Sequence, residues 1–305
     1  MTLLQKLLFG AVVFGLAGCS QPVQNQDISE PADSTETELV PISAHHDEIE
    51  PEITPFMRIP SILVFSKTNG WRHNEGIAGA DHFFVGLARD KGYGIFTTAN
   101  GAVFNPATLD RFKVIIFNNV TGDALSPEQE SAFEDWLQDG GAWIGLHGAG
   151  DSSHEDWDWY QNYLIGPTFT SHPMAPQFQD ARVVNLAPEH PIMEGIPAEF
   201  MHNDEWYSFD SVAQAYGHTP LAGLDESTYS PRNTVYGPED LRMGEGAINH
   251  PIIWSHCPGS GRAFYSAIGH NETSYADPVY KQILINAFDW VSGEKDPDGT
   301  ACPAE

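Results

Sequence analysis

Basic residues are scarce in this chain. Its 305 residues include 14 Lys and Arg against 42 Asp and Glu, a formal charge of −28. Nucleic acid is held by cations that neutralise its phosphates, so the balance argues against nucleic acid as a partner. It also disfavours adhesion to an anionic membrane by charge alone. Cysteine is scarce too: only Cys19, Cys257 and Cys302 are present, and none has the flanks of a nucleophile. No HExxH and no short His-x-His spacing occurs, so no local motif supports a metal centre. The glycine turn at Gly148 and Gly150 lacks the lysine of a P-loop, which disfavours phosphate. The chain has no internal repeat, and its single membrane-type segment lies at the N-terminus.

That N-terminal segment is MTLLQKLLFGAVVFGLAGCS. One early cation, Lys6, precedes an apolar run too short to span a bilayer comfortably, the pattern of a bacterial signal peptide over residues 1–19. Its ending, Leu16-Ala17-Gly18-Cys19, resembles a lipobox, in which the cysteine becomes a lipidated N-terminus. The alternative is an ordinary cleaved signal with Cys19 discarded. Ser20 rather than Asp follows, which favours the periplasmic face of the outer membrane, or the cell surface, over inner-membrane retention. The membrane is then a partner through the anchor, each buried CH₂ contributing about 0.8 kcal/mol. Export would place Cys257 and Cys302 in an oxidising compartment, where they either pair or remain free thiols. Residues 20–57 carry acids and no Lys or Arg, and read as a disordered acidic linker with His45 and His46 in solvent. Residues 295–305 read as a C-terminal tail.

The folded part is expected over 58–294. SILVFS, VIIFNNV and AWIGLH are continuous apolar runs of the kind buried on both faces of a parallel sheet. Helices are expected over Ile77–Lys91, from Ser126 to about Asp139, across HEDWDWYQNYLIG, and after Asp277. Ser126, Pro127 and Gln129 form a capping box with Pro at the first helical position. This alternation implies an α/β fold with a mainly parallel central sheet.

In such sheets ligands bind beyond the carboxyl ends of the strands. Three polar clusters fall there: Trp71-Arg72-His73 with Asn74-Glu75-Gly76, then His147-Gly148-Ala149-Gly150-Asp151, then Gly269-His270-Asn271-Glu272. A fourth, His202-Asn203-Asp204-Glu205-Trp206-Tyr207, lies in the second half. His147 suits general acid/base work, since imidazole titrates near neutrality, and Asp204 or Glu205 could supply the second group. Alternatively His73, His147 and His270, with His202 or Asp204, could hold a divalent ion such as Zn²⁺. The plain structural reading, an imidazole satisfied by backbone and a carboxylate, stays open for His147. It is the expected one for His82, His190, His218, His250 and His256. Arg72 and Asp151 suit sugar hydroxyls, and Trp71, Trp206 and Tyr207 offer flat faces for sugar rings or else pack in the core. Trp136, Trp143 and Trp290 read as core. Trp157 and Trp159 suit either role.

GWRHNEG, GLHGAGDS, HNDEWY and GRAFYSAIGH together resemble the trehalose-utilisation (ThuA-like) family over about Ile59 to Ser292. The resemblance implies the class I glutamine amidotransferase-like fold, a flavodoxin-like sandwich. It implies a role in using trehalose and related disaccharides, with keto-sugars as suggested intermediates. The amidotransferase elbow reads Gly-x-Cys-x-Gly. Here the matching stretch is Gly145-Leu146-His147-Gly148-Ala149, with histidine in the nucleophile's place, so thiolate glutaminase chemistry is unavailable. His270 and Glu272 have the spacing of the amidotransferase His-x-Glu pair. The expectation is a lipid-anchored enzyme acting on a glycoside or keto-sugar by hydrolysis, elimination or isomerisation. His147 and His270 form its centre, with Asp204 and Glu205 assisting. A non-catalytic glycan-binding lipoprotein and a metal-dependent hydrolase of another substrate are the alternatives. The oligomeric state has no signature in the sequence.

Overall fold

The computed structural model describes residues 45–154, 156–296 and 302. The expected signal peptide, Cys19 and the expected linker as far as residue 44 lie outside the described residues, as does most of the tail. Among the described residues, no helix is long and apolar enough to cross a membrane.

Among the described residues eleven strands form: β1 (Ser61–Phe65), β2 (Gly94–Thr98), β3 (Val114–Asn118), β4 (Ala142–Leu146), β5 (Phe169–Ser171), β6 (Phe178–Asn185), β7 (Glu199–Glu205), β8 (Ser208–Phe209), β9 (Thr219–Asp225), β10 (Pro251–His256) and β11 (Arg262–Ser266). Nine make one sheet in the order β2-β1-β3-β4-β11-β10-β9-β6-β7. From β2 to β11 the neighbours are parallel, and from β11 to β7 they are antiparallel. Every residue of β1, β3 and β4 is buried. This is why those segments read as unbroken apolar runs: a strand covered on both faces has no polar side to alternate.

Four α-helices accompany the sheet: α1 (Asn74–Lys91), α2 (Pro106–Leu109), α3 (Pro127–Gln138) and α4 (Pro278–Val291). α1 packs on β1, β2 and β3, and α4 on β4 and β11. Helix starts follow the local chemistry. The Ser126 N–H donates to Gln129 Oε1 at 3.0 Å, and Asp277 Oδ1 accepts from the N–H groups of Val279 and Tyr280, satisfying donors that lack a partner in the first turn. An aromatic cluster of Phe65, Phe104, Phe117, Phe133, Trp143 and Tyr160 fills part of the core.

Two expectations need correction. The last part of the linker is not free. Asp47 pairs with the buried Lys67 and accepts from the Gly101 N–H at 2.8 Å. His46, expected in solvent, bonds Asp123 at 2.8 Å, and Ile49 O accepts from Asn100 Nδ2. Lys67 and Asn100 are polar groups at strand exits that this acidic segment satisfies. The segment after the elbow closes as a π-helical turn over Tyr160–Ile165 rather than a regular α-helix. Trp157 there is buried and donates to Glu134, which places it in the core. Cys257 and Cys302 are disulfide-bonded, with Cα atoms 5.7 Å apart.

Candidate functional site

The site grows from the elbow after β4. His147 has φ +43°, inside the left-handed region that a side-chain-bearing residue rarely adopts. The conformation is fixed from several sides. Tyr265 Oη donates to His147 O at 2.9 Å, Tyr160 Oη to Ala149 O at 2.6 Å, and the Gly148 N–H to Asn119 Oδ1 at 3.3 Å. Gly150 has to lack a side chain, because a Cβ there would lie 2.4 Å from Tyr265 Oη. The imidazole is wholly buried and stacks against Tyr207, with ring centroids 4.2 Å apart.

Gly76 brings two further motifs together. A Cβ at Gly76 would stand 2.3 Å from Gly269 O, so only glycine lets α1 approach the exit of β11 this closely. His73, just before α1, and His270, just after β11, therefore meet with ring centroids 4.8 Å apart. His73 also lies 4.8 Å from the His147 ring.

β7 closes the cluster by its alternation. Successive side chains on a strand point to opposite faces. Glu205 and Tyr207 turn toward the imidazoles, whereas His202, Asp204 and Trp206 turn away. Glu205 Oε2 lies 3.3 Å from His147 Nε2 and 3.2 Å from His270 Nδ1, and those two nitrogens are 3.2 Å apart. The other carboxylate oxygen, Oε1, faces His172 Nδ1 at 3.2 Å and accepts from Gln177 Nε2. Asp204 serves the backbone instead. Its Oδ1 accepts from the N–H groups of Glu205 (2.8 Å) and His270 (3.2 Å), its Oδ2 from Gly269 N–H (2.9 Å) and Ser274 Oγ (2.7 Å). The catalytic role expected for Asp204 is thus replaced by a positioning one. Trp206 is buried and donates to Gln179 O, so it is core and not a sugar platform. His202 bonds Ser274 Oγ at 3.1 Å, away from the cluster. Arg72 is exposed and bonds Asn74 and Thr68. Glu272 is exposed, so Glu205 and not Glu272 is the carboxylate of His270.

Electrostatics follow from burial and charge. Burial penalises the Glu205 carboxylate, but hydrogen bonds from His147 and His270 outweigh it and hold its pKa far below the ordinary value. Burial likewise works against protonation of His147, and the Glu205 carboxylate overcomes it, raising that pKa. His73 has no carboxylate in contact. Burial, reinforced by the neighbouring imidazoles, lowers it to about 2, and its Nδ1 is buried without a partner.

The side-chain donors of His73, His147, Glu205 and His270 lie within 4.8 Å of one another and could hold a metal ion. This set contains all three histidines expected as ligands and adds Glu205. A cavity of about 480 Å³ opens beside it, lined among others by Trp71, Asp151, Phe169, His172, Tyr207 and Tyr236. Trp71 stands 73% exposed at its edge. Of the residues expected to bind sugar, Trp71, His73, Asp151 and Tyr207 line this cavity, and Arg72 and Trp206 do not. Sequence reasoning missed His172, Gln177 and Tyr236. They come from connections around β5, β6 and β9 with no motif spacing to mark them.

The chain matches the family model ThuA, described as trehalose utilisation, over residues 61–291. A ThuA-like protein from Bacteroides uniformis has a similar structure at 23% identity and a TM-score of 0.66, covering 81% of this chain and 97% of that one. A second, from Parabacteroides merdae, is 14% identical with a TM-score of 0.55, covering 78% and 91%. No curated protein matches the chain.

Proposed function

This chain belongs to the ThuA (trehalose utilisation) family, and from that premise we propose that it is a metal-dependent enzyme of carbohydrate catabolism. Its substrate is a disaccharide or keto-glycoside. Its N-terminal sequence further suggests an exported protein tethered through Cys19 at the periplasmic face of the outer membrane or the cell surface.

The observation that carries the reading is a triangle. His147 Nε2, His270 Nδ1 and Glu205 Oε2 stand 3.2, 3.3 and 3.2 Å apart. Ligands of a tetrahedral Zn²⁺, bonded at 2.0–2.1 Å, are separated by about 3.3 Å. Three such atoms match one face of that tetrahedron. Two supporting details agree. His147 Nδ1 lies 2.7 Å from Ala267 O, so an N–H there leaves Nε2 bare, the arrangement in which a ligand histidine is fixed by a backbone carbonyl. The buried, unpartnered His73 Nδ1 is a polar atom that the protein leaves unsatisfied at the same place. Two histidines and one glutamate with a fourth position open is a donor set of catalytic zinc. A bound divalent ion would polarise a sugar oxygen or activate a water there. The protein's own residues orient the ligands, and the exposed Trp71 offers a face for the sugar.

The test is a panel of disaccharides and keto-glycosides offered to protein of known metal content, with and without chelator. Turnover should require about one divalent ion per chain and fall at least 100-fold in His147→Ala. Full turnover by that variant sinks the reading. A non-catalytic sugar-binding protein is the second reading, favoured by the exposed Trp71. It requires sugar affinity that survives loss of His147 and His270 but not of Trp71. A metal-dependent hydrolase of another substrate would bind the ion and ignore the whole panel.

A further inference from the structure

Asp151 ends the elbow, four residues after His147, and lines the cavity together with His73, Glu205 and His270. Its two oxygens have different surroundings. Oδ1 accepts from both the N–H and the hydroxyl of Ser153. That hydroxyl is itself aimed, because the Gly122 N–H donates to Ser153 Oγ at 2.6 Å, which leaves the Ser153 proton pointing at the carboxylate. Among the described residues no side chain donates to Oδ2, and Asp151 lines the cavity. One oxygen is anchored and the other is available to a bound molecule. No Lys or Arg lines this cavity to pair with the carboxylate.

We infer that Asp151 is the general base of this site, taking a proton from a hydroxyl of the bound sugar at Oδ2. The inference rests on the sugar-enzyme reading above. The step balances simply: the sugar O–H bond breaks, its electron pair stays on the oxygen, and the proton passes to the carboxylate. The carboxylic acid so formed loses that proton to water at neutral pH. A base works best with a pKa near the operating pH. Burial raises Asp151 to about 6, against the Ser153 hydrogen bonds that lower it. The titratable groups around it are His147 on the elbow, Tyr160 from the π-helical turn, Tyr207 after β7 and Tyr265 on β11, with His73, His172, Glu205 and His270 lining the same cavity. The three phenols are buried, which holds them well above 10 and neutral, so they do not titrate in the range that Asp151 does.

The test compares wild type, Asp151→Asn and Ser153→Ala for kcat, KM, pH profile and metal content. Asn keeps the shape and can still bond a hydroxyl, but it does not accept a proton to a comparable degree. The expected result is a kcat lowered about 10²- to 10⁴-fold, a KM within about threefold and unchanged metal content. Wild-type kcat/KM should fall on the acid side, as Asp151 takes up its proton. Ser153→Ala removes a bond that favours the carboxylate, so the same limb should move to higher pH. Asp151→Asn that raises KM and spares kcat, or a limb that Ser153→Ala leaves in place, overturns the inference while the enzyme reading stands. A wild-type protein with its metal bound and no turnover at any pH overturns both.

Discussion

Replacing Asp204 with Asn isolates the clamp that places Glu205 and His270. The carboxylate is fully buried and accepts four hydrogen bonds. An amide keeps one oxygen, which can still serve the Glu205 and His270 N–H groups. Its NH₂ then faces Gly269 N–H and Ser274 Oγ. The serine hydroxyl can rotate and accept, but the Gly269 N–H cannot. A buried donor left opposite another donor costs about 1–3 kcal/mol, and each hydrogen bond to a charged group contributes about 1.5–3 kcal/mol. Relief of carboxylate desolvation offsets part of this, yet the hydrogen bonds and nearby imidazoles outweigh burial and hold Asp204 below its ordinary pKa of 3.8. The net loss should be about 3 kcal/mol, read as a lower urea midpoint at unchanged m-value. The sign of the pH dependence is fixed. A depressed carboxyl pKa contributes stability above the ordinary value and loses it as pH falls through the folded-state value. The gap between wild type and Asp204→Asn should therefore close as the pH is taken well below 3.8. A loss under about 1 kcal/mol at pH 7.5, or a gap that widens in acid, refutes the clamp.

Three other perturbations test the scaffold. Gly76→Ala puts a methyl 2.3 Å from Gly269 O; the start of α1 has to retreat, costing about 1–3 kcal/mol, and metal retained after dialysis should fall because His73 moves from His270. Asp47→Ala leaves the buried Lys67 ammonium without its carboxylate; a fully buried pair would cost 3–5 kcal/mol, and the partial exposure of Asp47 reduces the expectation to about 2 kcal/mol, with faster proteolysis of residues 45–57. Reducing the Cys257–Cys302 bond frees a loop of sequence separation 45, and thermal unfolding with and without reductant should differ by about 4 kcal/mol in the chain-entropy description.

The parallel half of the sheet was legible because its physics is local. β1, β3 and β4 are covered on both faces, so each appears as an unbroken apolar run, and capped helices separate them. The same logic placed His73, His147 and His270 at strand exits that one sheet brings to one edge. The antiparallel half was not legible in this way. Its one local signal is the turn Pro258-Gly259-Ser260-Gly261, which pairs β10 with β11; that β6 and β7 lie at the far end depends on long connections whose closure no short motif records. His172 and Tyr236 reach the cavity through those connections.

Asp204 and Glu205 are neighbours at the end of β7 and serve different partners. By composition HNDEWY reads as one polar and aromatic cluster, with Asp204, Glu205, Trp206 and Tyr207 as site candidates. On a strand only alternate positions can share a face. If Glu205 meets the imidazoles, Tyr207 can join it, and His202, Asp204 and Trp206 must turn the other way. The structure divides them so: Tyr207 stacks on His147, while His202 and Asp204 converge on Ser274 and Trp206 on Gln179 O. The period of two therefore halves the candidate list before any coordinates exist, although it leaves open which half faces the site. In the structure the N–H groups of Gly269 and His270, beside the close approach of Gly76 to Gly269 O, donate to Asp204 on the away-facing side. With Asp204 committed to those donors, the adjacent Glu205 is turned to His147, His270 and His172. One position of the strand holds the site in shape so that its neighbour can meet the imidazoles.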